Sequence, residues 1–107
     1  MSAPAMRHAA TFRVPSDHPS LPGHFPGQPV VPGVVLLEEV LKATEAWLAK
    51  PVSVEALPQA KFLAPLLPDE PARIDLELEG CELRFRIERA AEPIARGAFV
   101  LSRGQAP

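Results

Sequence analysis

From Val34 to Lys50 the chain reads VVLLEEVLKATEAWLAK, with no Pro or Gly and apolar residues at helical spacing. On a helical projection Val34, Leu37, Leu41, Thr44 and Leu48 form one stripe, and Leu36, Val40, Ala43 and Trp47 cover the opposite side. Glu38, Glu39, Lys42 and Glu45 fill only the narrow sector between them. This pattern predicts a helix buried on most of its circumference, wrapped by a sheet. Pro32-Gly33 opens it and Pro51 stops it.

Period-two patterns supply the sheet. Residues 73–79 (RIDLELE) and 82–88 (ELRFRIE) alternate cleanly, with Glu79-Gly80 placed as a hairpin turn. Further strands are expected over Lys61–Leu67, bounded by Pro58 and Pro68, over Ile94–Ser102, and at the start over Ala9–Val14. Strand, loop, helix and four strands make an α+β chain with an antiparallel sheet. A single domain is expected over residues 1–107, with 1–8 as a flexible start and 104–107 as a flexible tail.

Six of the fourteen prolines (15, 19, 22, 26, 29 and 32) fall between Val14 and Gly33. Neither a helix nor a central strand accommodates that spacing, so an extended rigid loop is predicted, turning at Pro22-Gly23, Pro26-Gly27 and Pro32-Gly33. Leu21, Phe25, Val30 and Val31 give it apolar groups to bury, which sets it apart from a linker and marks it as a loop with a function.

Composition narrows the function classes. Eleven basic against thirteen acidic residues give a net charge of −2, which excludes a generally basic surface that coats nucleic acid. No apolar run approaches the roughly 18–20 residues of a membrane span. Met1 to Arg13 lacks the apolar core of a secretory signal, so a cytoplasmic chain is expected. Cys81 is the single cysteine, so no internal disulfide and no structural metal site are expected.

The chemistry concentrates in residues 23–38, GHFPGQPVVPGVVLLE. His24 taken alone reads as a packed loop histidine, Gly33 as a turn residue, and Glu38 as half of a surface pair with Lys42. Together they suit proton abstraction beside a carbonyl. A helix N-terminus offers free N–H groups and partial positive charge to an oxyanion, and Gly lets a carbonyl approach the backbone. A His and a carboxylate in one apolar pocket divide base and acid roles.

The string closely resembles the GHFPGxPxxPGVLxxE motif of the β-hydroxyacyl-(acyl carrier protein) dehydratases of the FabA/FabZ type, with Val35 in place of a Leu. Asp17-His18-Pro19 and the stretch from Gln59 to Asp69 resemble flanking segments of that family, so the likeness spans roughly Ala9 to Arg103. The resemblance implies a hot-dog fold, a long central helix wrapped by a curved antiparallel sheet, in chains that dimerise by pairing sheets edge to edge. By position it implies His24 as catalytic base, Glu38 as catalytic acid, Gly33 as the amide that binds the thioester carbonyl, and Val30 as the carbonyl that orients the His. Phe25, Val34, Leu37 and Phe62 are the implied acyl-pocket residues. It further implies that His and Glu meet across a dimer interface, and that dehydration proceeds with no metal or redox cofactor. The substrate is implied to arrive on the phosphopantetheine of acyl carrier protein, an acidic partner.

Two departures stand out. Lys42 occupies the place where the family usually has Gln, and a cation beside Glu38 would hold it ionised. The chain has no Tyr. Two rival readings accompany the dehydratase: a hot-dog acyl thioesterase, and a non-catalytic hot-dog subunit of a heterodimer. Lys61, Arg73, Arg84, Arg86, Arg89, Arg96 and Arg103 lie in the sheet half, mostly as solvated strand faces, with one or two available to a phosphopantetheine phosphate. His8 and His18 are assigned surface or structural roles.

Overall fold

The computed structural model describes residues 5–19, 21 and 30–102. Six elements follow in the expected order: β1 (Met6–Phe12), α1 (Gly33–Leu48), β2 (Val54–Phe62), β3 (Ala72–Glu79), β4 (Glu82–Arg89) and β5 (Glu92–Leu101). The strands form one sheet in the order β1-β3-β4-β5-β2, and every neighbouring pair is antiparallel. The β3–β4 hairpin turns where expected, on Gly80 at φ +61, a conformation that Gly adopts without a side-chain penalty.

Alternation decides which residues reach the core. Ile74, Leu76 and Leu78 of β3, and Leu83, Phe85 and Ile87 of β4, point inward and are buried. Val35, Leu36, Val40 and Thr44 of α1 are the helix's buried residues. The Thr44 hydroxyl donates to the Val40 carbonyl at 2.8 Å, so its burial leaves no donor unsatisfied.

Three expectations are corrected. The helix is not covered all round: Val34, Glu38, Lys42 and Ala46, spaced four apart, form an exposed row, and Val34 is 60% exposed. A single sheet has one inner face, so it covers one side of a helix and leaves the opposite row to solvent or to another chain. Secondly, the strand expected over Lys61–Leu67 is β2, Val54–Phe62, and residues 63–67 leave the sheet. The N–H groups of Leu63 and Ala64 both donate to the Ile94 carbonyl, at 2.8 and 3.3 Å, which ends the ladder. Pro58 is tolerated because β2 is an edge strand whose register shifts twice, between Val54 and Ala56 and between Ala56 and Gln59. Thirdly, residues 6–8 of the expected flexible start belong to β1, paired with residues 76–78. There the His8 imidazole stacks on the Trp47 indole with centroids 5.3 Å apart, which bears out a structural role for His8.

Gly97 of β5 has a packing role that its place inside a strand signals. A Cβ there would stand 2.2 Å from the Gln59 carbonyl oxygen and 2.8 Å from Phe85 Cζ, so β2 closes over bare backbone. No helix among the described residues is long and apolar enough to cross a membrane.

Candidate active site

The start of α1 is an uncapped helix end. Pro32 occupies the N-cap with extended backbone and offers no side-chain acceptor. The N–H groups of Val35 and Leu36 turn back to the Pro32 carbonyl at 3.0 and 3.3 Å. Those of Gly33 and Val34 have no acceptor among the described residues, so the partial positive charge of the helix end is unanswered there.

Phe62, the last residue of β2, covers this end. A Cβ on Gly33 would lie 2.8 Å from Phe62 Cζ and 3.0 and 3.1 Å from Cε1 and Cε2. Only a residue without a side chain admits the ring so close to its α-carbon. Phe62 is itself 51% exposed and Val34 60%, so apolar side chains face outward at this end of α1.

A hydrogen-bonded clamp holds the junction. Val31 N–H donates to the Leu66 carbonyl at 2.8 Å, which fixes the entry into α1 against residues 63–70. That segment is tied in turn: Leu67 N–H donates to Glu70 Oε1 at 2.7 Å, and Arg89 Nη1 donates to Glu70 Oε1 at 2.9 Å and to the Pro65 carbonyl at 2.8 Å. Arg89 also bonds Glu92, and Asp69 N–H reaches the Val14 carbonyl at 2.8 Å. The Leu67 N–H, joined by Arg89, holds the Glu70 carboxyl below the usual range despite the opposing effect of burial. Spacing in the sequence carries no signal for this clamp, because its members come from a turn and the end of β4.

Among the implied site residues, Gly33 and Phe62 are in contact. Val30 is half-buried next to the anchored Val31. Leu37 packs partly buried against the core, and Val34 faces outward. Glu38 is exposed, one turn beyond Val34 on the outward row, so a single chain does not bury it. Lys42 does not engage it: Lys42 Nζ lies 3.1 Å from Glu39 Oε1. The pair expected between Glu38 and Lys42 is therefore replaced by an i,i+3 pair that leaves the Glu38 carboxyl clear of the ammonium. His24, Phe25 and the turns at Pro22-Gly23 and Pro26-Gly27 lie outside the described residues.

The family model for ApeI-like dehydratases (ApeI dehydratase) matches residues 2–98. The chain belongs to this family. Curated relatives named 3-hydroxyacyl-[acyl-carrier-protein] dehydratase FabZ agree. That of Symbiobacterium thermophilum is 33% identical over 82 residues, covering 70% of this chain and 58% of the relative. That of Shewanella frigidimarina is 33% identical over 92 residues, covering 85% of this chain and 59% of the relative. The chain thus spans somewhat more than half the length of these relatives. Among solved structures, the dehydratase heterocomplex ApeI:P from Xenorhabdus doucetiae superposes with a TM-score of 0.81 at 22% identity, over 96% of this chain and 97% of that one. The fluoroacetyl-CoA thioesterase FlK superposes at 0.61 with 17% identity, over 92% and 86%. At those identities the likeness is one of fold. The ApeI-like chain is a hot-dog protein, one helix packed on a five-stranded antiparallel sheet.

Proposed function

We propose that this ApeI-like chain dehydrates a β-hydroxyacyl thioester carried on acyl carrier protein, giving the trans-2-enoyl thioester and water, in fatty-acid, polyketide or polyene biosynthesis. The observation that carries the reading is the pair of amides at Gly33 and Val34, without an acceptor among the described residues and beside Phe62, in a motif that matches the dehydratases at every fixed position but Val35.

In this reading neutral His24 removes the α-proton and the Gly33 N–H holds the oxygen that gains charge as the enolate forms. Glu38, protonated, delivers a proton to the β-hydroxyl as it leaves. The electron pair of the α C–H bond becomes the new C=C bond and the C–O pair leaves with water, so no redox cofactor enters the balance. Among the described residues nothing covers the outward row of α1 that carries Glu38, so a second chain is the cover this reading calls for. The exposed edge strand β2 and the exposed Val34, Phe62 and Leu63 at the same end supply the surface for that chain, a second copy or another hot-dog subunit.

Mass spectrometry of a panel of β-hydroxyacyl carrier-protein thioesters tests this. The enoyl product, 18 Da lighter, is expected from the wild type, and a loss of about 10²–10⁴ in rate from His24→Ala or Glu38→Gln. Free carrier thiol without enoyl formation assigns the chain to the thioesterases instead. Unchanged turnover in either variant removes that residue from the mechanism.

A further inference from the structure

The proline-rich stretch that carries the motif is bracketed by two backbone bonds to one turn. Before it, the Val14 carbonyl accepts from Asp69 N–H at 2.8 Å; after it, Val31 N–H donates to the Leu66 carbonyl at 2.8 Å. Residues 66–69 therefore set the separation of Val14 and Val31 and the place where the chain enters α1 at Gly33. The backbone of this turn does little to hold its shape. It lies outside the sheet, and Asp69 stands at φ +68, a left-handed conformation disfavoured for a residue with a side chain. Its internal backbone bond, from Glu70 N–H to the Leu67 carbonyl, is 3.3 Å long.

Arg89, at the end of β4, supplies the missing hold. Its Nη1 donates to the Pro65 carbonyl at 2.8 Å and to Glu70 Oε1 at 2.9 Å, and that same oxygen accepts from Leu67 N–H at 2.7 Å. One guanidinium thus grips the chain on both sides of Leu66, whose carbonyl anchors Val31. Glu92, directly opposite Arg89 in the β4–β5 ladder, accepts from Nη2 and fixes the plane of the fork. A lysine ammonium is a point charge on a flexible stem and does not reproduce that geometry. The Arg89 side chain is 23% exposed against 56% for Arg84, so solvent and salt screen its contacts less.

We infer that Arg89 is a positioning residue of the site: through Pro65, Glu70 and the Leu66 carbonyl it holds Val31, and with it the Gly33 amide that receives the thioester carbonyl. The assignment rests on the dehydratase reading proposed above. Arg89 acts through the turn rather than on the substrate. An arginine that served stability alone would lower the thermal midpoint without slowing the molecules that remain folded.

Hydrogen exchange and steady-state kinetics, both measured well below the thermal midpoint, separate the two roles in Arg89→Gln and Arg89→Lys. In Arg89→Gln, exchange is expected to quicken about tenfold or more at the Val31 and Asp69 amides and to hold in the β3–β4 hairpin. The kcat is expected to fall about 10–10²-fold, the effect of a misplaced amide. The KM for carrier-bound thioester should stay within about twofold. A small N-acetylcysteamine thioester should lose kcat by the same factor, since no docking surface has changed. Arg89→Lys should recover the thermal midpoint more fully than kcat, because it restores the charge and not the fork. Arg84→Gln removes an arginine that also has two carboxylate partners, and should leave kcat and Val31 exchange as in the wild type.

Wild-type exchange at Val31 and Asp69 in both Arg89 variants overturns the assignment, as does an unchanged kcat where exchange has quickened. An equal loss of kcat in Arg84→Gln overturns it too. If Arg89→Gln does not fold, Arg89→Lys carries the same readings. Absence of wild-type turnover on every thioester counts against the dehydratase reading, while exchange at Val31 still decides whether Arg89 holds the turn.

Discussion

The ring of Phe62 rests on the α-carbon of Gly33, with Cζ 2.8 Å from where a methyl group on that residue would stand. Gly33→Ala therefore forces the ring, a mobile side-chain end, away from the helix start rather than unfolding the chain. Turnover is expected to fall about 10²-fold, the scale of a misplacement near 1 Å, with a near-native thermal midpoint. Adding Phe62→Leu should recover part of the loss. A single variant as active as wild type refutes the role of this contact.

Lys42 Nζ sits on Glu39, 3.1 Å from Oε1, rather than on Glu38. Replacing it with the Gln usual in the dehydratases should leave the pH–rate profile of turnover in place. Stability should change by about 0.5 kcal/mol or less, as for other exposed helix pairs. A shift of the alkaline limb, where a catalytic acid loses its proton, on Lys42→Gln would show that the ammonium reaches Glu38 after all.

Glu70 has a folded-state pKa below its unfolded value, because its carboxylate accepts from Leu67 N–H and Arg89. Its stabilising contribution is complete above the unfolded carboxylate value and is lost as the pH falls through the lowered one. Glu70→Gln should flatten the acid side of the stability curve and leave the neutral region less stable. Urea midpoints measured between pH 3 and 7 decide it; parallel curves for the two proteins contradict the clamp.

At Gly97 the obstacle to a side chain is the carbonyl of Gln59, at 2.2 Å, and not a movable ring. Gly97→Ala should cost about 3 kcal/mol, at the upper end for overpacking, by prising β2 from β5. Hydrogen exchange should then quicken at Ala60 and Phe62 before the β3–β4 hairpin is affected. Uniform exchange across the sheet would point to a general loss instead.

The helix and the β3–β4 hairpin were legible because their patterns repeat with one period over several turns or pleats. In β2 that signal is missing: nearly every residue is exposed, Pro58 interrupts it and two register shifts break the alternation, so its bounds moved. The resemblance pointed to Gly33 through the Pro-rich motif and to Phe62 through the flanking segment, but only the fold brought the ring onto the Gly33 α-carbon. Arg89, Glu70 and Leu66 came together from a turn and a strand end with no shared spacing.

By itself the sequence determined the element order, the α+β class and the place of the motif at the helix start, since local period and Pro/Gly positions act within a few residues. The tertiary structure decided which helix face lies open, that Lys42 turns to Glu39, and that Arg86, Arg96 and Lys61 align across three strands. Those depend on packing and strand register, which join residues far apart along the chain and leave no periodic trace in it.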